Sequence, residues 1–228
     1  MDIYYLRLEG VNLQHVLSDT DQLSAVRGGS LLLRKAVKDI EKRFPKLMKI
    51  STGASVGLFR VEDETQAASL YNNVVNFLNK NYQHFTFVVD IQKASADFLK
   101  DKEAVLARNR FRQMQQLSLA IPPINRDIKV EPCKQDGLRP GVSKAGPRQE
   151  RKTVSISVRD RYYYGRRQKR AFYREEIGQD LGLSFTNDLQ EISTDKRFRN
   201  LNNKLAIVYL DGNGFGKIQS CPICNRLI

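Results

Sequence analysis

Three groups of residues have the types and spacing to do chemistry. From Leu205 to Ile218 the chain reads LAIVYLDGNGFGKI, a buried-strand pattern that ends on Asp211 and opens through Gly212, Asn213, Gly214 and Gly216 to Lys217. Glycines in such a turn let backbone N–H groups approach phosphate oxygens, an aspartate at the strand edge can hold Mg²⁺, and the lysine can meet a phosphate. The bland alternative is a tight polar turn after a buried strand. Just beyond it, SCPICNRL places Cys221 and Cys224 at the CxxC spacing of one corner of a tetrahedral zinc site, with Cys133 in EPCKQDGLRP as a third thiolate. A fourth cysteine is absent, and neither His15 nor His84 is spaced to replace it. The third group is SVRDRYYYGRRQKRAFYREE, where Arg159, Arg161, Arg166, Arg167, Lys169 and Arg170 are interleaved with Tyr162, Tyr163, Tyr164, Phe172 and Tyr173. Cations that track phosphates and aromatic faces on which bases stack are the two ingredients of single-strand recognition. Its alternative is a solvated basic surface with half-buried tyrosines.

The bulk properties agree with an anionic partner. The 228 residues carry a net charge of +13, and Lys134–Arg174 alone holds 13 Lys or Arg against three acids. Such an excess argues for nucleic acid, nucleotides or membrane surfaces as partners and says nothing about fold. No apolar run approaches the roughly 20 residues that span a bilayer, and MDIYYLRLEG lacks a secretory signal pattern, so a cytoplasmic protein is expected. Three cysteines, two of them near the end, make no secreted disulfide framework.

The elements that must position these groups begin with a strand, IYYLRLEG, whose Tyr4, Leu6 and Leu8 share one side. Gly28, Gly29 and Ser30 then precede LLLRKAVKDIEKRF, where Leu33, Ala36, Val37, Ile40 and Phe44 recur at helical spacing, with Ser30 the expected N-cap. LMKISTGASVGLFRVE reads as a hairpin, two strand-like runs around Ser51-Thr52-Gly53-Ala54. The next helix, DETQAASLYNNVVNFLNKNY, aligns Ala67, Tyr71, Val74, Val75 and Leu78, and FTFVVDIQ is a fourth strand. The order βαββαβ predicts an α+β, ferredoxin-like palm over residues 1–120, with a further helix in ADFLKDKEAVLARNRFRQMQQL. Residues 121–203 read as a basic irregular insert, and 204–228 as the first strand and turn of a second, incomplete palm ending in the CxxC.

Palms that join nucleotides hold two cations with carboxylates from the first strand end and the following hairpin. Here the first palm offers Glu9 alone, and its hairpin offers no acid, so this palm is expected to be structural and Glu9 a solvated strand-end residue.

YLDGNGFGK resembles the DGDxMGK-type element that starts the second palm in the large subunit of type III CRISPR effectors, the CRISPR polymerase or cyclase family. YYLRLEGVNLQ, AVRGGSLLLRKA and TGASVGLF are similar to that family's first palm, and the order of parts also matches. The resemblance is greatest to stand-alone second-palm-domain relatives. It implies ATP binding with Mg²⁺ and synthesis of cyclic oligoadenylate signals in antiviral defence, alongside effector-subunit partners. Asp211 then matches the first metal-binding acid, and Gly212, Gly214, Gly216 and Lys217 the phosphate-side turn. Asn213 departs from the family's second aspartate, removing a charge from the metal site. The family's GGDD hairpin is missing, and 17 residues after Asp211 leave no room for it. The expectation is a truncated or reduced relative that is no competent cyclase by itself. A non-catalytic module that binds RNA or scaffolds a complex through the basic segment is the alternative.

Overall fold

The computed structural model describes residues 2–124, 130–147, 149–179, 182, 193, 194 and 196–204. They fall into two compact units, Met1–Phe172 and Tyr173–Ile228. The predicted Asp211, Gly212, Asn213, Gly214, Gly216, Lys217, Cys221 and Cys224 lie outside the described residues.

Alternation builds the centre of the first unit. In strand β1 (Ile3–Val11) every second residue is buried, placing Tyr4, Leu6 and Leu8 on one face. After a single turn, α1 (Gln14–Leu17), come helix α2 (Leu23–Arg43), the hairpin strands β2 (Met48–Thr52) and β3 (Val56–Glu62), helix α3 (Glu64–Asn81) and strand β4 (Thr86–Lys93). The sheet is antiparallel in the order β2-β3-β1-β4, with Leu6 opposite Phe59 on one side and Ile91 on the other. That order is the ferredoxin-like, palm-type arrangement of a βαββαβ chain. Leu33, Ala36, Val37 and Ile40 of α2 and Ala67, Leu70, Val74 and Leu78 of α3 cover the Leu6 face in one apolar cluster. The helical spacing read from the sequence matches this face, with Tyr71, Val75 and Phe44 packed at its margin.

Helix α4 (Phe98–Gln115) contacts β1 and β4 and presents polar groups to the polar residues of those strands. Arg7 donates to Asn109, Arg112 Nε lies 2.5 Å from Asp90, and Arg110 lies 3.2 Å from Glu9. Glu9 is therefore not the solvated residue expected. Its side chain is 13% exposed and is held 2.7 Å from Arg7 as well. Guanidinium groups on both sides satisfy the carboxylate that a nucleotidyl-transferring palm would direct at a cation.

Ser30 caps nothing. Helix α2 begins seven residues earlier, at Leu23 with Gln22 as N-cap, and the Ser30 hydroxyl donates to the Val26 carbonyl 3.3 Å away. Gly28 and Gly29, which read as a helix start, lie inside α2 because another helix crosses there. That helix is α5 (Ile156–Ile177), which follows two short ribbons, β5 (Glu131–Pro132) with β6 (Pro140–Gly141) and β7 (Ser143–Ala145) with β8 (Lys152–Val154). A Cβ on Gly28 would stand 1.8 Å from the Arg161 carbonyl oxygen, and one on Gly165 would stand 2.0 Å from that of Ser24. Any side chain at either position would collide with backbone, so only glycine permits this approach. The segment 121–203, expected to be irregular, thus contains a long regular helix docked on the palm.

In the second unit, a short 3₁₀ segment (Lys196–Leu201) is followed by Asn203, whose N–H donates to the Ser193 carbonyl at 2.9 Å.

Candidate nucleic-acid interface

Helix α5 has two faces of opposite character. At 3.6 residues per turn, Val158, Arg161, Tyr162 and Gly165 fall on one side, and all are buried. Val158 and Tyr162 join Ala25 of α2, Ala145, Val154 and Cys133 in a second small apolar cluster.

Arg161 is fully buried, and its guanidinium reaches Asp19 through Nη1 at 2.9 Å and Nη2 at 2.6 Å. It also donates to the carbonyls of Val16 and Ser157. Arg139, 1% exposed, approaches the same Asp19 at 2.8 Å and Asp136 at 3.0 Å, and donates to the carbonyls of Ala120 and His15. Two cations and two anions thus balance in a buried cluster whose donors are matched to acceptors, the condition under which burying charge is tolerable. Burial pushes the Asp136 carboxyl up, but N–H groups of Arg139 and Leu138 and the Arg139 charge outweigh it and hold the group below the usual carboxylate range.

This geometry corrects one predicted contact. Arg161, expected to track phosphates, faces the protein interior and is committed to Asp19. Its spacing from Gly165 and Val158 puts it on the docking face, where a long stem can be buried only if the head finds a carboxylate.

The remaining basic residues of the segment behave differently. Tyr163, Arg166, Arg167 and Arg170 stand at i, i+3, i+4 and i+7, within an arc of about 100°. All four are exposed, Tyr163 by 36%. Lys169 sits half-buried at the edge of this stripe. Arg166 places its guanidinium 5.7 Å from the centre of the Tyr162 ring, and Tyr162 meets Tyr163 edge-to-face at 5.3 Å, so the aromatic groups and cations form one connected surface.

An open cavity of about 460 Å³ lies over the stripe, lined by Asp160, Tyr163, Arg166 and Arg167. Asp160 in this lining is held 2.6 Å from Arg159 and 3.2 Å from Nε2 of His84. Burial raises the Asp160 carboxyl, yet hydrogen bonds from His84 and Arg159, with their charges, bring it below the usual range. The one acid in the cavity is therefore an ion at neutral pH, already engaged by Arg159 and His84. That leaves Arg166 and Arg167 to set the sign of the surface.

Cys133 is 1% exposed and accepts the Asp136 N–H at its sulfur, 3.5 Å away. It packs in the small apolar cluster with Ala25, Val154 and Val158, and Cys221 and Cys224, its expected partners at zinc, lie outside the described residues. Among the described residues, no three His, Cys, Asp or Glu side chains come together as a metal site, and no helix is long and apolar enough to cross a membrane.

Sequence reasoning missed Asp19, Asp136, Arg139 and Gly165. The acids and Arg139 carry no local pattern, since their partners lie more than 100 residues away or in a turn. Gly165 did carry a signal, as a lone glycine inside a helical run weakens the helix and calls for a packing reason.

No protein-family profile matches the sequence, and no curated protein matches it. Solved structures similar to it include the Csm1–Csm4 cassette in complex with cA4, at TM-score 0.44, and the apo Csm1–Csm4 cassette, at 0.42. Each is 10% identical over 50% of this chain, and the chain spans 19% of each neighbour's length. The palm-type fold assignment rests on the strand order and register described above.

Proposed function

We propose that this protein is a non-catalytic palm module that binds single-stranded RNA through the exposed face of α5, within an assembly of CRISPR-type effector subunits in antiviral defence. The observation that supports it is the separation of the two α5 faces. The buried face uses its arginine for docking, while Tyr163, Arg166, Arg167 and Arg170 gather on the other, the first three lining a cavity. Stacking on an exposed aromatic ring and cationic contact with phosphates require no fixed sequence, so the interface suits a single strand of mixed composition.

The test is fluorescence anisotropy of a labelled 12-nucleotide RNA across a salt series. Three to four phosphate contacts predict a slope of about −2 to −3 in log affinity against log salt, and Arg166→Glu/Arg167→Glu should lower affinity at least tenfold. A flat salt response, or a variant that binds as well as the parent, sinks the reading.

The resemblance carried by YLDGNGFGK adds a second reading, ATP with Mg²⁺ at Asp211, Gly212, Asn213, Gly214, Gly216 and Lys217. In it Asp211 would ligand the cation and Lys217 would meet a phosphate, with Asn213 contributing a neutral oxygen. The distinguishing experiment is calorimetry of ATP with and without Mg²⁺. Metal-dependent binding lost in Asp211→Ala supports it, and equal binding by parent and variant removes it.

A further inference from the structure

Helix α3 carries a composition that folding does not ask for. Asn72, Asn73, Asn76, Asn79 and Asn81 are all exposed, and asparagine is a poorer helix former than the Glu, Lys or Ala that usually fill such positions. Asn73, Asn76, Phe77 and Lys80 recur at i, i+3, i+4 and i+7, on one face.

That face borders a groove of about 720 Å³ between the C-terminal ends of α2 and α3, closed on the α2 side by Arg43 and Phe44. Arg43 lies over the Phe77 ring at 5.5 Å, and Phe44 meets Phe77 edge-to-face at 6.0 Å. The guanidinium plane over an aromatic ring makes a flat cationic platform. Asn81 donates to the Phe77 carbonyl at 2.8 Å and Asn73 donates weakly to Ser69, which leaves the Asn73 oxygen and the Asn76 amide to meet a ligand. A flat platform, amides able both to donate and to accept, and Lys80 beside them fit a base and its phosphate.

We infer that the groove between the C-terminal ends of α2 and α3 is a second contact for single-stranded nucleic acid, taking a base against the Arg43–Phe77 stack and a phosphate at Lys80. The inference rests on the reading that α5 binds such a strand. Arg43 and Lys80 are the charged residues of the lining and both are cations, so the groove favours an anionic ligand. Asparagine amides can read base edges as well as tolerate them, so the groove adds base preference to the general affinity of α5.

The experiment uses the full chain and 12-nucleotide RNAs containing 4-thiouridine, with photo-crosslinks mapped by mass spectrometry and affinities measured in parallel. Crosslinks are expected in the peptides carrying Phe77 and Tyr163. Asn73→Glu/Asn76→Glu should remove the first, keep the second and weaken binding at least threefold. Glutamate favours the helix more than asparagine does, so the fold should survive, which circular dichroism checks. Asn72→Glu/Asn79→Glu, equal in charge but absent from the groove lining, should leave the Phe77 crosslink in place. Crosslinks confined to α5 with unchanged affinity for Asn73→Glu/Asn76→Glu overturn the groove and leave the α5 reading standing. Equal loss in both double variants also overturns it, by showing a general charge effect. Absence of crosslinks and of RNA affinity removes both readings.

Discussion

Helices α4 and α5 are both arginine-rich, and they use the residue in opposite ways. On α4, Arg110 meets Glu9 and Arg112 meets Asp90, so the sheet neutralises both charges, while Arg108 donates to the Ile91 carbonyl. On α5, Arg161 is consumed in the same manner by Asp19, while Arg166, Arg167 and Arg170 form no ion pair among the described residues. The lesson is that arginine content does not locate an anion-binding surface. What locates it is where the fold has run out of carboxylates. The sheet face under α4 supplies Glu9 and Asp90, whereas the acid lining the cavity on the outer face of α5 is Asp160, which Arg159 and His84 already hold.

The most damaging way to test this contrast is to strip the docking face. Arg161→Met should cost about 3–5 kcal/mol, because it leaves Asp19 and the Val16 carbonyl buried with fewer donors. Chemical denaturation measures it, and a loss below about 1 kcal/mol would show that α5 does not need its buried charge. Gly165→Val should destabilise by about 3 kcal/mol through backbone collision with α2, read by the same method.

Acid should act on the same contacts more gently. The Asp136 and Asp160 carboxyls sit below their ordinary range in the folded chain, so the stability they contribute is present above about pH 4 and is lost as pH falls through their lowered folded values. Denaturation midpoints measured from pH 6 down to 2.5 should fall at the acid end, and Asp136→Asn should flatten that fall.

Function sharpens the contrast at about tenfold in affinity. Charge reversal at Arg166 and Arg167 should abolish most RNA binding with an unchanged melting temperature. Reversal at Arg108 and Arg110 should do the opposite, lowering stability while binding stays within about twofold, as anisotropy and thermal melts will show. The smallest effect belongs to Arg110→Gln, a half-exposed ion pair worth under about 1 kcal/mol.

Much of the palm was legible because its signals are local. Alternation in Tyr4, Leu6 and Leu8 and the 3.6-residue recurrence of Leu33, Val37 and Ile40 report burial directly, and Gly53 announced the hairpin, although Ser51 and Thr52, read as part of its turn, belong to β2. Helix α5 was hidden because its docking face is built from Arg161, Tyr162 and Gly165, which score as polar or helix-breaking. The same ambiguity turned Gly28 and Gly29 into an apparent helix start. Of the residues expected to contact nucleic acid, Tyr163, Arg166, Arg167 and Arg170 share the exposed stripe, Lys169 lies at its edge and Arg161 is withdrawn from it.

Residue order alone settled the βαββαβ plan, the helical faces of the palm and the concentration of positive charge after residue 130, since each depends on neighbours within a few positions. Which arginines are spent and which remain available was decided by the fold. Asp19 is 142 residues from Arg161 and Glu9 is 101 from Arg110. A charge is neutralised by whatever lies within a few ångströms of it, and only tertiary packing sets that distance.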